Sequence, residues 1–121
     1  MEREIRSAGG EATYIAADVR VPGSVQSFVD RTVRRYGRLD VAFNNAGIQA
    51  SALLHETSVE AGDDSTDTNA RGVFLSMKYE IPHMLRDGGG TIIVNSSVGA
   101  IVGRPNLPTY QSTKQAIQAL V

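Results

Sequence analysis

Apolar residues recur along this chain in two rhythms, one helical and one continuous. Val25, Phe28, Val29, Thr32, Val33 and Tyr36 return every three or four positions, which predicts an amphipathic helix from a cap at Ser24 to a stop at Gly37. The same spacing predicts a longer helix from about Ser65 to Leu85, with Val73, Phe74, Met77, Ile81 and Leu85 on its buried side and a bend at Pro82. Met1 to Ser7 reads as the last turns of a helix, closed by Gly9 and Gly10. A final helix starts at Thr109 and runs about three turns to Val121. The continuous runs are Leu39 to Phe43 and Thr91 to Val94. Apolar residues without alternation suit strands covered on both faces of a parallel sheet. Thr13 to Ala17 reads as a third, shorter strand, and Gln49 to about Gly62 as a loop.

Strand, helix, strand, helix, strand, helix is the order of a doubly wound α/β parallel sheet, whose ligands bind beyond the carboxyl ends of the strands. Here it is incomplete, with about three strands and three to four helices. Asp18, Asn45 and Ser97 fall at that carboxyl edge. A length of 121 residues allows one domain, and no repeat or linker divides it.

Charge and composition narrow the chemistry mainly by exclusion. A net charge of −1 with no Lys/Arg block leaves no electrostatic footprint for nucleic acid or an anionic membrane. Cysteine is absent, which removes disulfides, thiolate catalysis and Cys-based zinc sites. No apolar run approaches the ~20 residues of a membrane span, and the first ten residues are charged rather than a signal peptide, so the chain reads as cytoplasmic. His55 and His83 stand alone. Asp63, Asp64 and Asp67 lack the glycine and closing glutamate of a calcium loop and read as a solvated helix start, so no metal is expected. Gly88 to Gly90 leads into a strand and offers no helix N-terminus to a phosphate.

Tyr110 and Lys114 lie four residues apart on a helix and therefore share a face. A phenol with a reference pKa near ~10 is a poor proton shuttle at neutral pH, but a neighbouring ammonium favours the phenolate. Taken alone, such a spacing is ordinarily a spectator pair on a surface helix. Ser97 alone would be a strand-end hydroxyl, Asp18 a turn residue, and Asn69 part of a solvated helix face.

In register, the set means more. Asp18-Val19, Asn44-Asn45-Ala46-Gly47, Asn69 with Gly72, Ser97, and Tyr110 with Lys114 occur in an order and at intervals, including the 13 positions from Ser97 to Tyr110, that resemble the short-chain dehydrogenases/reductases over nearly the whole chain. The resemblance implies a Rossmann-type fold and an oxidoreductase interconverting an alcohol and a carbonyl by hydride transfer with NAD or NADP. Tyr110 would be the general acid/base, and Lys114 would lower its pKa and hold the ribose of the nicotinamide half. Ser97 would hydrogen-bond the substrate oxygen, and Asn69 would help hold a water linking Lys114 to solvent. Asp18 and Val19 would contact the adenine and Asn45 the adenosine side, with Asn44 tying adjacent strands. A small-molecule alcohol or carbonyl substrate and a homo-oligomer paired through the two long helices are also implied.

The chain departs from that family in three places. The glycine-rich phosphate turn T-G-x-x-x-G-x-G and its strand are missing, so residues 1–121 are expected to be a partial NAD(P)-binding Rossmann domain, one domain truncated at both ends. The family strand order sets two strands between the Thr13 and Leu39 strands. Two paired strands and an orphan are thus expected, with poor folding of the 121-residue chain alone. Gly62 to Thr68 is polar where relatives are apolar, which predicts a frayed first helical turn and loose placement of Asn69. Thr113 stands where serine is common. A non-catalytic remnant, or an interaction fragment of such an enzyme, is the alternative.

Overall fold

The computed structural model describes residues 1–121. Helix α1 spans Glu2–Ser7 and α2 spans Pro22–Tyr36. Strand β1 is Val41–Asn44. After a short 3-10 turn at Leu54–Glu56 come α3, Val59–Thr66, and α4, Gly72–Arg86, joined by a π-helical turn over Asp67–Arg71. Strand β2 is Thr91–Val94, and α5, Pro108–Gln118, follows a 3-10 turn at Val98–Ala100.

β1 and β2 pair in parallel, with Val41 opposite Thr91 and Asn44 opposite Val94. The strand expected at Thr13–Ala17 pairs with nothing, so the sheet has two strands rather than three. That segment is held from outside a ladder: the Tyr14 N–H donates to the Glu2 carboxylate at 3.0 Å, and the Tyr36 hydroxyl donates to Thr13 Oγ1 at 3.0 Å. The orphan expected from strand order is what the structure contains.

Neither paired strand is covered on both faces. Ala42 is buried and Asn44, Ile92 and Val94 are half-buried, while Val41, Phe43 (61% exposed) and Ile93 leave the other face open. The unbroken apolar runs encode two covered faces, and the helices of this chain supply cover for one.

α2 begins two residues before the expected cap. Pro22 takes the first turn, where its missing N–H costs nothing, and the Ser24 hydroxyl instead accepts from the Asp18 N–H at 2.9 Å. Its valines Val25, Val29 and Val33 are buried, and Gly37 ends it at φ +84, a left-handed conformation that glycine adopts without strain.

The long helix also begins early, at Val59. Ser58 Oγ accepts from the Ala61 N–H at 3.1 Å and caps it, so the polar opening does not fray. Its buried side is not the expected one. Val73 is buried and Met77 half-buried, but Phe74, Ile81 and Leu85 (73% exposed) face outward, while Leu75, Ser76, Glu80 and Met84 face the core. Two stripes on this helix have helical spacing. The one facing the core carries Ser76 and Glu80, which periodicity assigns to solvent.

Candidate active site

α5 presents Tyr110, Thr113, Lys114 and Ile117 inward, as positions three or four apart on one helix face must be. Lys114 is only 4% exposed, and its Nζ donates to the Asn95 carbonyl at 2.7 Å. A buried ammonium is costly unless partnered, and here the partner is a neutral carbonyl just past β2. Nζ lies 5.7 Å from the centroid of the Tyr110 ring, so the predicted pair does share one site.

Ser97 caps the 3-10 turn after β2, its Oγ accepting from the Gly99 N–H at 3.1 Å. A Cβ built on Gly99 would lie 3.4 Å from Ser97 Oγ and 3.7 Å from Tyr110 Cε1. The serine hydroxyl and the tyrosine ring therefore flank one buried glycine, and the serine proton stays free to donate.

Asn69 lies on the π-helical turn, 0% exposed. Its Oδ1 accepts from the Ile48 N–H at 2.8 Å, and its Nδ2 donates to the Ile48 carbonyl at 2.9 Å and to Thr113 Oγ1 at 3.0 Å. The loose placement expected from the polar opening is thus corrected, because Ser65 and Asn69 turn inward together while Asp63, Asp64 and Thr66 take the solvent side. A Cβ on Gly47 would lie 3.2 Å from Asn69 Oδ1 and 3.6 Å from Lys114 Nζ. Glycine there keeps the space over the lysine open.

The Asn44 carbonyl accepts from the Asn95 N–H at 3.0 Å, tying the adjacent strands as expected, and its side chain donates to Glu80 on α4 at 3.0 Å, tying strand to helix as well. Glu80 is 5% exposed. Burial pushes its carboxyl above the usual carboxylate range, and the Asn44 hydrogen bond pulls it back in part. Asn45 Oδ1 accepts from Asn95 Nδ2 at 2.7 Å, so the two strand ends are joined side chain to side chain.

A cleft of about 280 Å³ opens between the extended segment, β1 and α4, with Val19, Asn45, Ala46 and Gly72 in its wall. Val19 and Asn45, 26 residues apart in sequence, meet there. The Asp18 carboxylate is engaged by Arg20, accepting from its Nη2 at 2.9 Å and its backbone N–H at 2.9 Å, which holds the Asp18 pKa at about 2. Arg20 also pairs with Asp64 on α3 at 2.7 Å, while Arg71 donates to the Arg20 carbonyl at 2.8 Å.

Three residues escaped the sequence reading: Asn95, Glu80 and Ser96, whose hydroxyl donates to the Lys114 carbonyl at 3.2 Å. Asn95 and Ser96 directly follow an apolar strand, the same signal that singled out Asn45 and Ser97. Glu80 carries no signal, since a glutamate in a helix is ordinarily solvated. No helix of the chain is long and apolar enough to cross a membrane.

The model of the short chain dehydrogenase family matches residues 1–121. An uncharacterized oxidoreductase of Thermotoga maritima is 39% identical over 116 residues, 96% of this chain and 45% of that protein. The A-factor type gamma-butyrolactone 1'-reductase (1S-forming) of Streptomyces virginiae is 40% identical over 119 residues, 97% of this chain and 46% of that protein. Among solved structures, NAD+-bound xylitol dehydrogenase superposes with a TM-score of 0.94 at 32% identity, over 98% of this chain and 46% of that one. ElxO with NADP bound superposes with a TM-score of 0.86 at 36% identity, over 89% of this chain and 44% of that one. The chain spans about half the length of the curated relatives it matches.

Proposed function

The chain belongs to the short-chain dehydrogenase family, and from that premise we propose that it forms the acid/base part of an oxidoreductase that interconverts an alcohol and a carbonyl with NAD(H) or NADP(H). The observation that carries this is the convergence of Tyr110, Ser97 and Lys114 around Gly99 and Gly47, beyond the carboxyl ends of two parallel strands. Bound nicotinamide supplies the carbon that accepts or donates the hydride. In the oxidative direction Tyr110 takes the hydroxyl proton of the alcohol, and in the reductive direction it returns a proton to the carbonyl oxygen. Ser97 donates to that same oxygen and meets the charge developing on it.

Lys114 Nζ lies beside the Tyr110 ring and, with donors left over beyond the Asn95 carbonyl, would hold ribose hydroxyls of the cofactor on the side that Gly47 leaves open. Asn69 fixes Ile48, next to that glycine. Asp18, Val19 and Asn45 take the adenosine side, two of them already in the wall of one cleft. Of the relatives, one is described with NAD+ and another with NADP, which supports a nicotinamide cofactor without choosing between them. A cytoplasmic, homo-oligomeric enzyme of a small alcohol or carbonyl fits this reading, the exposed Phe74, Ile81 and Leu85 of α4 serving as contact surface between copies.

The test is NAD(P)H turnover by a full-length protein carrying residues 1–121 against a panel of secondary alcohols and ketones. Cofactor-dependent turnover is expected. Absence of both turnover and saturable NADH or NADPH binding refutes the proposal.

A second reading, a non-catalytic piece that associates with another chain, is favoured by the unpaired Thr13–Ala17 segment and the open sheet face. Saturable binding of NADH or NADPH by residues 1–121 alone counts against it.

A further inference from the structure

On the footing of that oxidoreductase reading, we propose that Thr113 is a positioning residue: its hydroxyl tethers the helical turn that carries Tyr110 to Asn69 and, through Asn69, to the chain leaving β1. Thr113 is 3% exposed. Its Oγ1 lies 2.8 Å from the Tyr110 carbonyl and 3.0 Å from Asn69 Nδ2. A hydroxyl has one proton and the carbonyl can only accept, so Thr113 donates to Tyr110 and accepts from Asn69.

Both amide hydrogens of Asn69 are then committed. Its oxygen takes the Ile48 N–H, one amide hydrogen goes to the Ile48 carbonyl, and the other goes to Thr113. Ser65 Oγ, at 3.5 Å, is too distant to compete for them. An unbroken series of hydrogen bonds thus runs from Ile48 through Asn69 and Thr113 to the backbone of Tyr110. It crosses three elements: the segment after β1, the π-helical turn and α5.

The tether matters because of what Tyr110 lacks. Its phenol makes no hydrogen bond within the chain, so the place of its ring is set by the backbone turn it hangs from, and Thr113 pins that turn. Ile48 adjoins Gly47, where the space beside Lys114 is kept open, so one series of bonds sets Tyr110 relative to the lysine's free side. The π-helical turn fits this role, since an extra residue in a helical turn re-aims the side chains on it and such turns recur at functional sites.

Serine preserves the hydroxyl at this position, and valine preserves the shape without it. In a full-length protein carrying residues 1–121, Thr113→Val is expected to lower kcat by about 10- to 100-fold, the scale of a displaced catalytic group. KM for the cofactor should move by less than about threefold, and Thr113→Ser should stay within about threefold of the unsubstituted enzyme in kcat.

Loss of fold alone is separated by Val29→Ala, a core truncation in α2. Compared at a similar loss in Tm, it should leave kcat intact. Native-state hydrogen exchange gives a readout independent of turnover, and Thr113→Val should speed exchange at Ile48 and over residues 110–114 relative to Thr113→Ser. If the unsubstituted protein shows neither turnover nor saturable NADH or NADPH binding, the oxidoreductase reading fails while exchange still decides the tether. The tether is overturned if Thr113→Val keeps full kcat, if Thr113→Ser falls as far as valine, if Val29→Ala loses as much activity, or if exchange is unchanged.

Discussion

Removing the side chain of Asn69 breaks three buried or part-buried hydrogen bonds of the site at once. Asn69→Ala deletes bonds of 2.8 Å and 2.9 Å to Ile48 and one of 3.0 Å to Thr113. Each is worth a net ~1 kcal/mol, and the polar groups left behind separate by exposure. Ile48 is partly exposed, so water can take over its N–H and carbonyl, whereas Thr113 is sealed and keeps an unmatched oxygen. The vacated volume in a fully buried position adds a cavity cost, so the total is no less than about 3 kcal/mol. In a full-length protein of the size of its relatives this amounts to about 6–12 °C in Tm. Asn69→Asp should do no better, because a carboxylate would face the Ile48 carbonyl with no hydrogen to offer. Thermal unfolding followed by circular dichroism, with urea denaturation for the free energy, measures both variants. A shift below about 2 °C for Asn69→Ala would mean that Asn69 is a solvated spectator, and the bonding assigned to it would be wrong.

Glu80 predicts a stability that changes with pH. Its folded pKa is raised above 4.5 by burial, so the folded state holds the proton more tightly than the unfolded chain, and stability is lost as pH rises through the folded value. Glu80→Gln keeps an oxygen for Asn44 Nδ2 but does not titrate, so its advantage in Tm over the parent should be smallest near pH 4 and grow toward neutrality. An advantage that is flat, or largest in acid, contradicts the burial argument. Residues 1–121 alone expose Val41, Phe43 and Ile93 on one sheet face beside an unpaired Thr13–Ala17. The isolated chain should therefore bind an apolar dye and self-associate in light scattering, and a sharp cooperative transition of a monomer would oppose this.

The class of fold was legible because its signals are local. The valines of α2 repeat at helical spacing, and the apolar runs at Val41 and Thr91 became the two strands that pair. Tyr110 and Lys114 were legible for the same reason, since four residues on a helix fix a shared face whatever surrounds it. The failures come where partners are distant in sequence. Thr13–Ala17 has the composition of a strand but finds no neighbour to pair with. The inward stripe of α4 includes Glu80, whose partner Asn44 lies 36 residues away, a pairing that spacing does not announce. Thr113 looked like a conservative replacement and proves to hold two hydrogen bonds, one of them to a residue 44 positions away.

The central claim is that Tyr110 moves the proton. Tyr110→Phe removes one oxygen that makes no hydrogen bond within the chain, so the fold should be left almost untouched. In a full-length protein carrying residues 1–121, kcat should fall by about 10²- to 10⁴-fold with NADH or NADPH binding retained. An unchanged kcat, with cofactor bound as before, would contradict the assignment and leave the convergence of Ser97, Lys114 and Asn69 on that helix without its chemistry.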